Sequence, residues 1–263
     1  MSASVQPILS ARGIVNRFGQ HAVHDGIDLD VRPGEVLGIA GGSGSGKSVL
    51  LKTLSGLHRP NRGDVKINGT PVERIDETER AALIGVLFQQ GALFSSLSVA
   101  QNIMLPIRHH TRLPVEQQER IAVMKLELTG LPVESGIQFP FQLSGGMVKR
   151  AAFARALALD PRILFLDEPT ADLDPLTAGG IDELIGQLNR SLGITIVIVT
   201  HDLTTLFTVC HRVAVLVDRN ITVGRVDRLM RSGHPWIREF LHGPRGQGAQ
   251  HSAQSARKHS HGI

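Results

Sequence analysis

A chain of 263 residues that is 41% hydrophobic has enough apolar surface for one large domain or two lobes around a substantial core. The 28 Lys and Arg against 24 Asp and Glu leave a net charge of +4, too small by itself to mark a binder of nucleic acid or of an anionic surface. One cysteine, Cys210, excludes an internal disulfide, and no apolar run reaches the roughly 18 residues of a membrane-spanning helix. Cys210 falls in an apolar helical stretch and reads as a small buried hydrophobe of a reducing compartment. Met1 to Gln6 lacks the charged start and apolar core of a signal peptide, so any membrane role is expected to come through a partner.

Ile8 to Val15, the alternating Ile27 to Val31, and Glu35 to Ala40 read as strands, with a Pro33-Gly34 turn before the third. That third strand runs into Gly41-Gly42-Ser43-Gly44-Ser45-Gly46-Lys47-Ser48, and a helix is predicted from Ser48 to Leu54. Glycine, four residues, then Gly-Lys-Ser between a strand and a helix is the pattern of a phosphate cradle. The glycines let successive backbone N–H groups turn inward, and the helix N-terminus adds its positive dipole end. Lys47 would reach the β- and γ-phosphates of ATP, and the Ser48 hydroxyl would complete the shell of a Mg²⁺ ion.

Gly63 to Gly69 and Leu83 to Phe88 read as further strands. From about 91 to 160 the periodicity turns helical, with helices predicted over Val99–Leu105, Glu116–Leu128 and Ser144–Leu159, separated by Pro106, Pro114, Pro132 and Pro140. Parallel-sheet alternation then resumes: strand Ile163–Leu166, helix Leu176–Leu192, strand Ile194–Val199, helix Leu203–Cys210 and strand Val213–Val217. Short helices are predicted at Asp227–Arg231 and Trp236–Leu241. The second has Trp236, Ile237, Phe240 and Leu241 on one face, to pack on its own domain or to dock a partner. Residues 243–263, rich in Gly, Gln, Ser, Ala and His, read as disordered, and the histidines there (His251, His259 and His261, with His242 before them) as no metal site. The chain shows no internal repeat.

Ile163-Leu164-Phe165-Leu166 ends in Asp167-Glu168, placing an acid at the carboxyl end of a buried strand, where α/β sheets bind ligands. Asp167 suits Mg²⁺, and Glu168, one residue on, suits the general base for a water attacking the γ-phosphate. Leu143-Ser144-Gly145-Gly146-Met147, followed by Val148 to Leu157, narrows the class. Here the chain resembles the ATP-binding cassette (ABC) ATPases, whose signature Leu-Ser-Gly-Gly-Gln opens a helix. Physically Ser144, Gly145 and Gly146 form a second anion site at a helix N-terminus. The resemblance implies that this site caps the γ-phosphate held by a second subunit, so the working unit would be a pair of cassettes.

The resemblance covers roughly Ile8 to Val226 and implies further roles. Phe18 fits the aromatic that stacks on adenine, against the alternative of a core phenylalanine. Gln89 fits the glutamine that touches Mg²⁺ and the attacking water and reports to the transmembrane partner. Leu173-Asp174 fits the loop that crosses the dimer interface, with Asp174 near nucleotide. His201, after Ile194 to Thr200, fits the switch histidine that contacts the γ-phosphate and orients Glu168. The implied fold is α/β: an ABC ATPase domain over 1–226 with a RecA-like parallel-sheet core, an antiparallel β lobe and a helical insert at about 91–160. A helical extension at 227–242 and a tail at 243–263 would follow.

Met147 in place of glutamine, Leu87-Phe88-Gln89-Gln90-Gly91-Ala92-Leu93-Phe94, and His234-Pro235-Trp236-Ile237-Arg238-Glu239-Phe240-Leu241-His242-Gly243 are similar to the ATPases of Mla-type transporters, which serve MCE-domain lipid-binding proteins. Asp172 stands where this group more often has glycine. The resemblance implies an ATPase for phospholipid or other hydrophobic cargo, homodimeric, with ATP and Mg²⁺. It would be held on the cytoplasmic face of the inner membrane by a permease, with MCE-domain and STAS-domain proteins as further partners and no nucleic acid. A small-solute importer shares nearly every motif. A soluble cassette acting on ribosomes or nucleic acid would carry two cassettes or coiled-coil insertions, and an iron–sulfur assembly scaffold fits poorly with one cysteine and the transporter-like Gln89 region.

Overall fold

Strand β1 (Leu9–Phe18), β2 (His21–Val31) and β3 (Val36–Gly41) come first, then helix α1 (Lys47–Leu54), β4 (Arg62–Ile67) and the two-residue β5 (Thr70–Pro71). Next are α2 (Glu77–Leu83), β6 (Ile84–Leu87), α3 (Val99–His110), α4 (Val115–Leu128), α5 (Gly145–Ala156), β7 (Ile163–Asp167) and α6 (Pro175–Leu192). The chain closes with β8 (Thr195–Val199), α7 (Leu203–Thr208), β9 (Arg212–Val217), β10 (Asn220–Gly224), α8 (Val226–Leu229) and α9 (Pro235–His242). This computed structural model describes residues 6–243 and 246–250. It divides into two compact units, one of Met1–Arg74 with Thr195–Ile263 and one of Ile75–Ile194.

The first unit carries two sheets. β1 lies between β2 and β4, antiparallel to both, in the order β2-β1-β4-β5, and Leu9 sits opposite Val31 on one side and Ile67 on the other. Those three residues and Ala11 and Val65 are buried, so the period-2 alternation of these strands becomes one apolar face. In the second sheet β3 is parallel to both β8 and β9, and β10 adds antiparallel to β9, giving the order β10-β9-β3-β8. Every residue of β3 and β8 is buried, the uninterrupted apolar run expected of parallel strands covered on both faces.

α9 packs back on this unit. Ile237 and Leu241 are buried in a cluster with Ala40, Leu203, Leu206, Val213, Val215 and Leu229, and Trp236 stacks on Phe240 with ring centroids 4.9 Å apart. Residues 246–250 are helical and Ala249 is buried in the same cluster, so the disorder expected from 243 onward does not hold for them. His251, Arg257, Lys258, His259 and His261 lie outside the described residues. Cys210 is only partly buried and follows α7, which stops at Thr208, so the helix expected through Cys210 is shorter by two residues.

In the second unit β6 and β7 pair in parallel, Leu87 opposite Leu166. α3, α4 and α5 supply a cluster of Val99, Ile103, Ile107, Ala122, Leu126, Ala151 and Ala154. α3 was expected to stop before Pro106, yet it runs to His110. A Ser98–Gln101 capping box starts it, and its buried face, Val99, Ile103 and Ile107, continues past the proline, so packing outweighs the one lost backbone bond. α2, unpredicted, is short, mostly polar and started by the Asp76 carboxylate accepting from the Glu79 N–H at 2.9 Å.

Candidate functional site

Ile39 lies opposite Val199 in the parallel register, so Gly41, the last residue of β3 and the partner of Leu216 in β9, and His201 each stand two positions beyond that pair. The phosphate-loop residues Gly41 to Ser48 and His201 therefore leave the same carboxyl edge of the sheet. A side chain at Gly41 would lie 2.5 Å from the Leu216 carbonyl and 2.8 Å from Ser45 Oγ, so the loop can start there only with glycine. Gly46 caps α1 in the left-handed region at φ 94°, and no side chain caps this helix.

Ser45 Oγ is buried without a hydrogen-bond partner among the described residues, an orphaned polar atom in a glycine-rich loop. Lys47 Nζ donates to the carbonyls of Gly41 and Gly42 at 3.0 Å each, which places an ammonium over the loop's mouth. Uncapped N–H groups, an orphaned hydroxyl and a lysine make a set that fits phosphate oxygens. Gly42, Ser43 and Gly44 complete the loop, with Ser43 and Gly44 exposed.

Behind the loop lies a polar relay absent from the sequence reading. Asn16 Nδ2 bonds Thr53 Oγ1 and His24 Nδ1, both at 2.9 Å, and Thr53 Oγ1 donates to the Val49 carbonyl at 2.9 Å. The His24 ring is buried, and its Nε2 faces Gly46 without meeting hydrogen-bond geometry. Burial pushes its pKa down to about 4; the Gly46 backbone opposes that shift weakly and His58 adds to it. The unfolded ring titrates near 6.5, so between about 4 and 6.5 the unfolded chain binds more protons and stability falls as pH falls through that window. His24→Leu is expected to remove about 1–2 kcal/mol of the stability that wild type loses between roughly pH 7.5 and 5. Urea unfolding of both proteins across that range tests this, and parallel pH profiles would refute it.

Phe18, at the end of β1, is 51% exposed and stacks on His58 with centroids 5.5 Å apart. It is no core phenylalanine, and an exposed ring on a strand end suits a planar base.

The second unit repeats the strand-edge logic. With Leu87 opposite Leu166, Gln89 and Glu168 each follow the paired position by two residues. Asp167 ends β7, and both acids are buried. Glu168 has φ 48°, a left-handed backbone rare for a non-glycine residue, which turns the chain sharply after the strand. Gln89 and Asp167 carry oxygen donors of the hard-ligand type that suits Mg²⁺, and Ser48, in the first unit, carries a hydroxyl of the same type.

Ser144 caps α5, its Oγ accepting from the Met147 N–H at 3.4 Å, with Gly145 and Gly146 in the first turn. The Met147 side chain packs against the helical cluster, which explains an apolar residue at that position. The Asp174 carboxylate caps α6, accepting from the N–H groups of Leu176 and Thr177 at 3.1 Å each and from the Thr177 hydroxyl at 2.5 Å. The Thr177 hydroxyl bond holds this carboxyl below the usual range. Its nearer task within the chain is thus helix capping. Two cations on α5 were not singled out from the sequence. Lys149, buried, donates to the carbonyls of Gln89 and of Glu168, the latter at 3.2 Å. Arg155 donates to those of Ala92 at 2.6 Å and Gly91 at 2.9 Å.

A family profile described as ABC transporter matches residues 24–171, from β2 through the turn after Asp167-Glu168. The chain belongs to the ABC transporter family. It is an ATPase of that family, with the α/β cassette fold and a site for ATP. It is 36% identical over 250 residues to the "Intermembrane phospholipid transport system ATP-binding protein MlaF" of Escherichia coli K12, covering 92% of this chain and 91% of that protein. It is 39% identical over 241 residues to the "Probable ribonucleotide transport ATP-binding protein mkl" of Mycobacterium leprae, covering 90% of this chain and 69% of that one. Among solved structures, a dimeric cassette in a post-hydrolysis state with ADP and Pi superposes with TM-score 0.76 at 31% identity, covering 82% of this chain and 98% of that one.

Proposed function

We propose that this cassette powers phospholipid transport as the ATPase subunit of an envelope system like that of MlaF. The observation that carries the reading is the near end-to-end match, 92% of this chain on 91% of the E. coli protein. Among the described residues no helix is long and apolar enough to cross a membrane. By likeness to the MlaF system, the cassette would sit on a permease at the cytoplasmic face of the inner membrane. A cavity of about 810 Å³ in the second unit, lined by Phe88, Ala92, Phe94, Pro106 and His109 among others, adjoins the Gln89 turn and suits a permease segment.

In the mechanism, two copies of this chain close on two ATP molecules, each phosphate loop facing its partner's Ser144-Gly145-Gly146. Lys47 and the loop amides hold the β- and γ-phosphates, and Phe18 stacks on adenine. Ser48, Gln89 and Asp167 would hold Mg²⁺, which when bound neutralises charge developing on the phosphate oxygens. Glu168 takes a proton from water as its oxygen attacks the γ-phosphorus and the bond to the ADP oxygen breaks. His201 fixes the γ-phosphate, and Asp174 lies in the segment between the cassettes. ATP binding closes the pair and hydrolysis reopens it, moving the permease.

Gentle solubilisation of native membranes and capture of an amino-terminally tagged chain should bring down a multi-spanning permease, an MCE-domain protein and bound phospholipid, identified by mass spectrometry. Recovery of a permease with a solute-binding protein would assign small-solute import instead. That arm is kept because the M. leprae relative carries a ribonucleotide-transport name at 39% identity. Recovery only in the soluble fraction would overturn transport.

A further inference from the structure

Helix α5 begins at the second anion site with Ser144 and ends 12 residues later at Ala156, and between these it grips the turn that carries Gln89. Lys149 and Arg155 together donate to the carbonyls of Gln89, Gly91 and Ala92. Gly91 and Ala92 both have positive φ, and the Gly91 N–H bonds the Phe88 carbonyl at 2.7 Å, so the segment is a tight irregular turn without strand partners of its own. Lys149 does more. The same ammonium donates to the Glu168 carbonyl, which also accepts from the Ala171 N–H at 3.2 Å. Glu168 and Asp172 are both left-handed, at φ 48° and 64°, so the turn after β7 stores strain and needs fixing from outside.

We propose that Lys149 is a positioning residue for hydrolysis: its ammonium ties the signature helix to the backbone of both Gln89 and Glu168. The inference rests on the reading of Glu168 as base and Gln89 as water-orienting group, and assigns what sets their relative position.

Three observations converge. Lys149 is 6% exposed, and a buried ammonium without partners would be too costly to keep. Its donors go to main-chain carbonyls, which position a backbone and cannot themselves transfer a proton. Burial lowers its pKa, while Asp172 first, then Glu168 and Asp167, work to keep it charged. The cation itself holds the carbonyls of Gln89 and Glu168. A displacement of α5 when its N-terminus meets a phosphate on the partner cassette would reach Gln89 and Glu168 through this one side chain.

The test uses the full chain captured with its membrane partners, as wild type and as Lys149→Met, Lys149→Arg, Lys149→Gln and Glu168→Gln. ATP affinity is read by direct nucleotide titration, turnover by phosphate release, and folding by Tm. Lys149→Met should lower kcat by about tenfold or more with ATP Kd within about threefold, because a group off by a fraction of an ångström costs chemistry before binding. Lys149→Arg should recover most of that loss, since its guanidinium can donate to both carbonyls. Lys149→Gln, whose shorter amide cannot span to both carbonyls, should lower kcat by roughly threefold or more at unchanged Kd, and it decides the matter if Lys149→Met does not fold.

Wild-type kcat in Lys149→Met, or in Lys149→Gln where that variant decides, overturns the proposal if Glu168→Gln is inactive. Equal losses of kcat, affinity and Tm without rescue by arginine overturn it in favour of a purely structural lysine. An active Glu168→Gln instead removes the reading of the base on which the proposal stands.

Discussion

Glu168→Gln lowers the ATPase kcat by about 10²–10³-fold and leaves ATP bound, because it removes the group that takes the water's proton while keeping the side chain's size and its place after β7. The backbone argument favours this clean outcome. Glu168 is fixed through its carbonyl, by Lys149 and by the Ala171 N–H, and neither bond involves the carboxylate. Glutamine can adopt the same left-handed φ at the same cost as glutamate, so the strain at this turn does not change. The result is read in two assays. Phosphate release gives kcat, and size-exclusion chromatography with ATP gives the dimer, which in the variant should persist because the reopening step is blocked. A Glu168→Gln protein that hydrolyses ATP at the wild-type rate refutes Glu168 as base, whatever its oligomeric state.

The candidate residues of this chemistry were legible in the sequence for a physical reason. A phosphate loop needs glycines where no Cβ fits, as at Gly41 against the Leu216 carbonyl, and a strand end needs acids directly after a run of buried apolar residues, as at Ile163 to Glu168. Both requirements write themselves into contiguous residues. The strand β3, all buried, and the long helix α6 were equally plain because their periodicities are pure.

What stayed hidden depends on contacts far apart in the chain. Lys149 reads on a helix as one more cation; only the fold brings it to Gln89, 60 residues earlier, and to Glu168, 19 later. His24 sits in β2 between Val23 and Asp25, and nothing local tells that Asn16 and Thr53 meet it under the loop. β10 and α2 were missed because neither carries a strong apolar pattern; β10 has no fully buried residue and is held by its pairing with β9. Pro106 misled for the converse reason: a local breaker was outweighed by tertiary burial of Ile103 and Ile107 on either side. Asp174 shows one residue open to two tasks, since a carboxylate that caps α6 also sits in the segment assigned to the interface between cassettes.

Lys47→Ala should abolish measurable ATP binding, weakening it by about 10²-fold or more, because a charge-assisted contact to phosphate in a partly desolvated site is worth about 2–5 kcal/mol. The fold should survive. Lys47 is half-buried, and its ammonium donates to the carbonyls of Gly41 and Gly42, main-chain groups at the mouth of the loop that water can reach in its place. Losing two such bonds costs about 1–2 kcal/mol, a change in Tm of a few degrees for a chain of this size. The cluster of Ala40, Leu206, Val213 and Ile237 behind the loop is untouched. Direct titration with ATP and a thermal melt on the same sample therefore separate the two roles of this residue. Lost binding with a nearly unchanged Tm assigns the lysine to the nucleotide. Undiminished binding refutes the phosphate loop as the ATP site, and lost binding with a collapsed Tm assigns Lys47 to the integrity of the loop rather than to the phosphates.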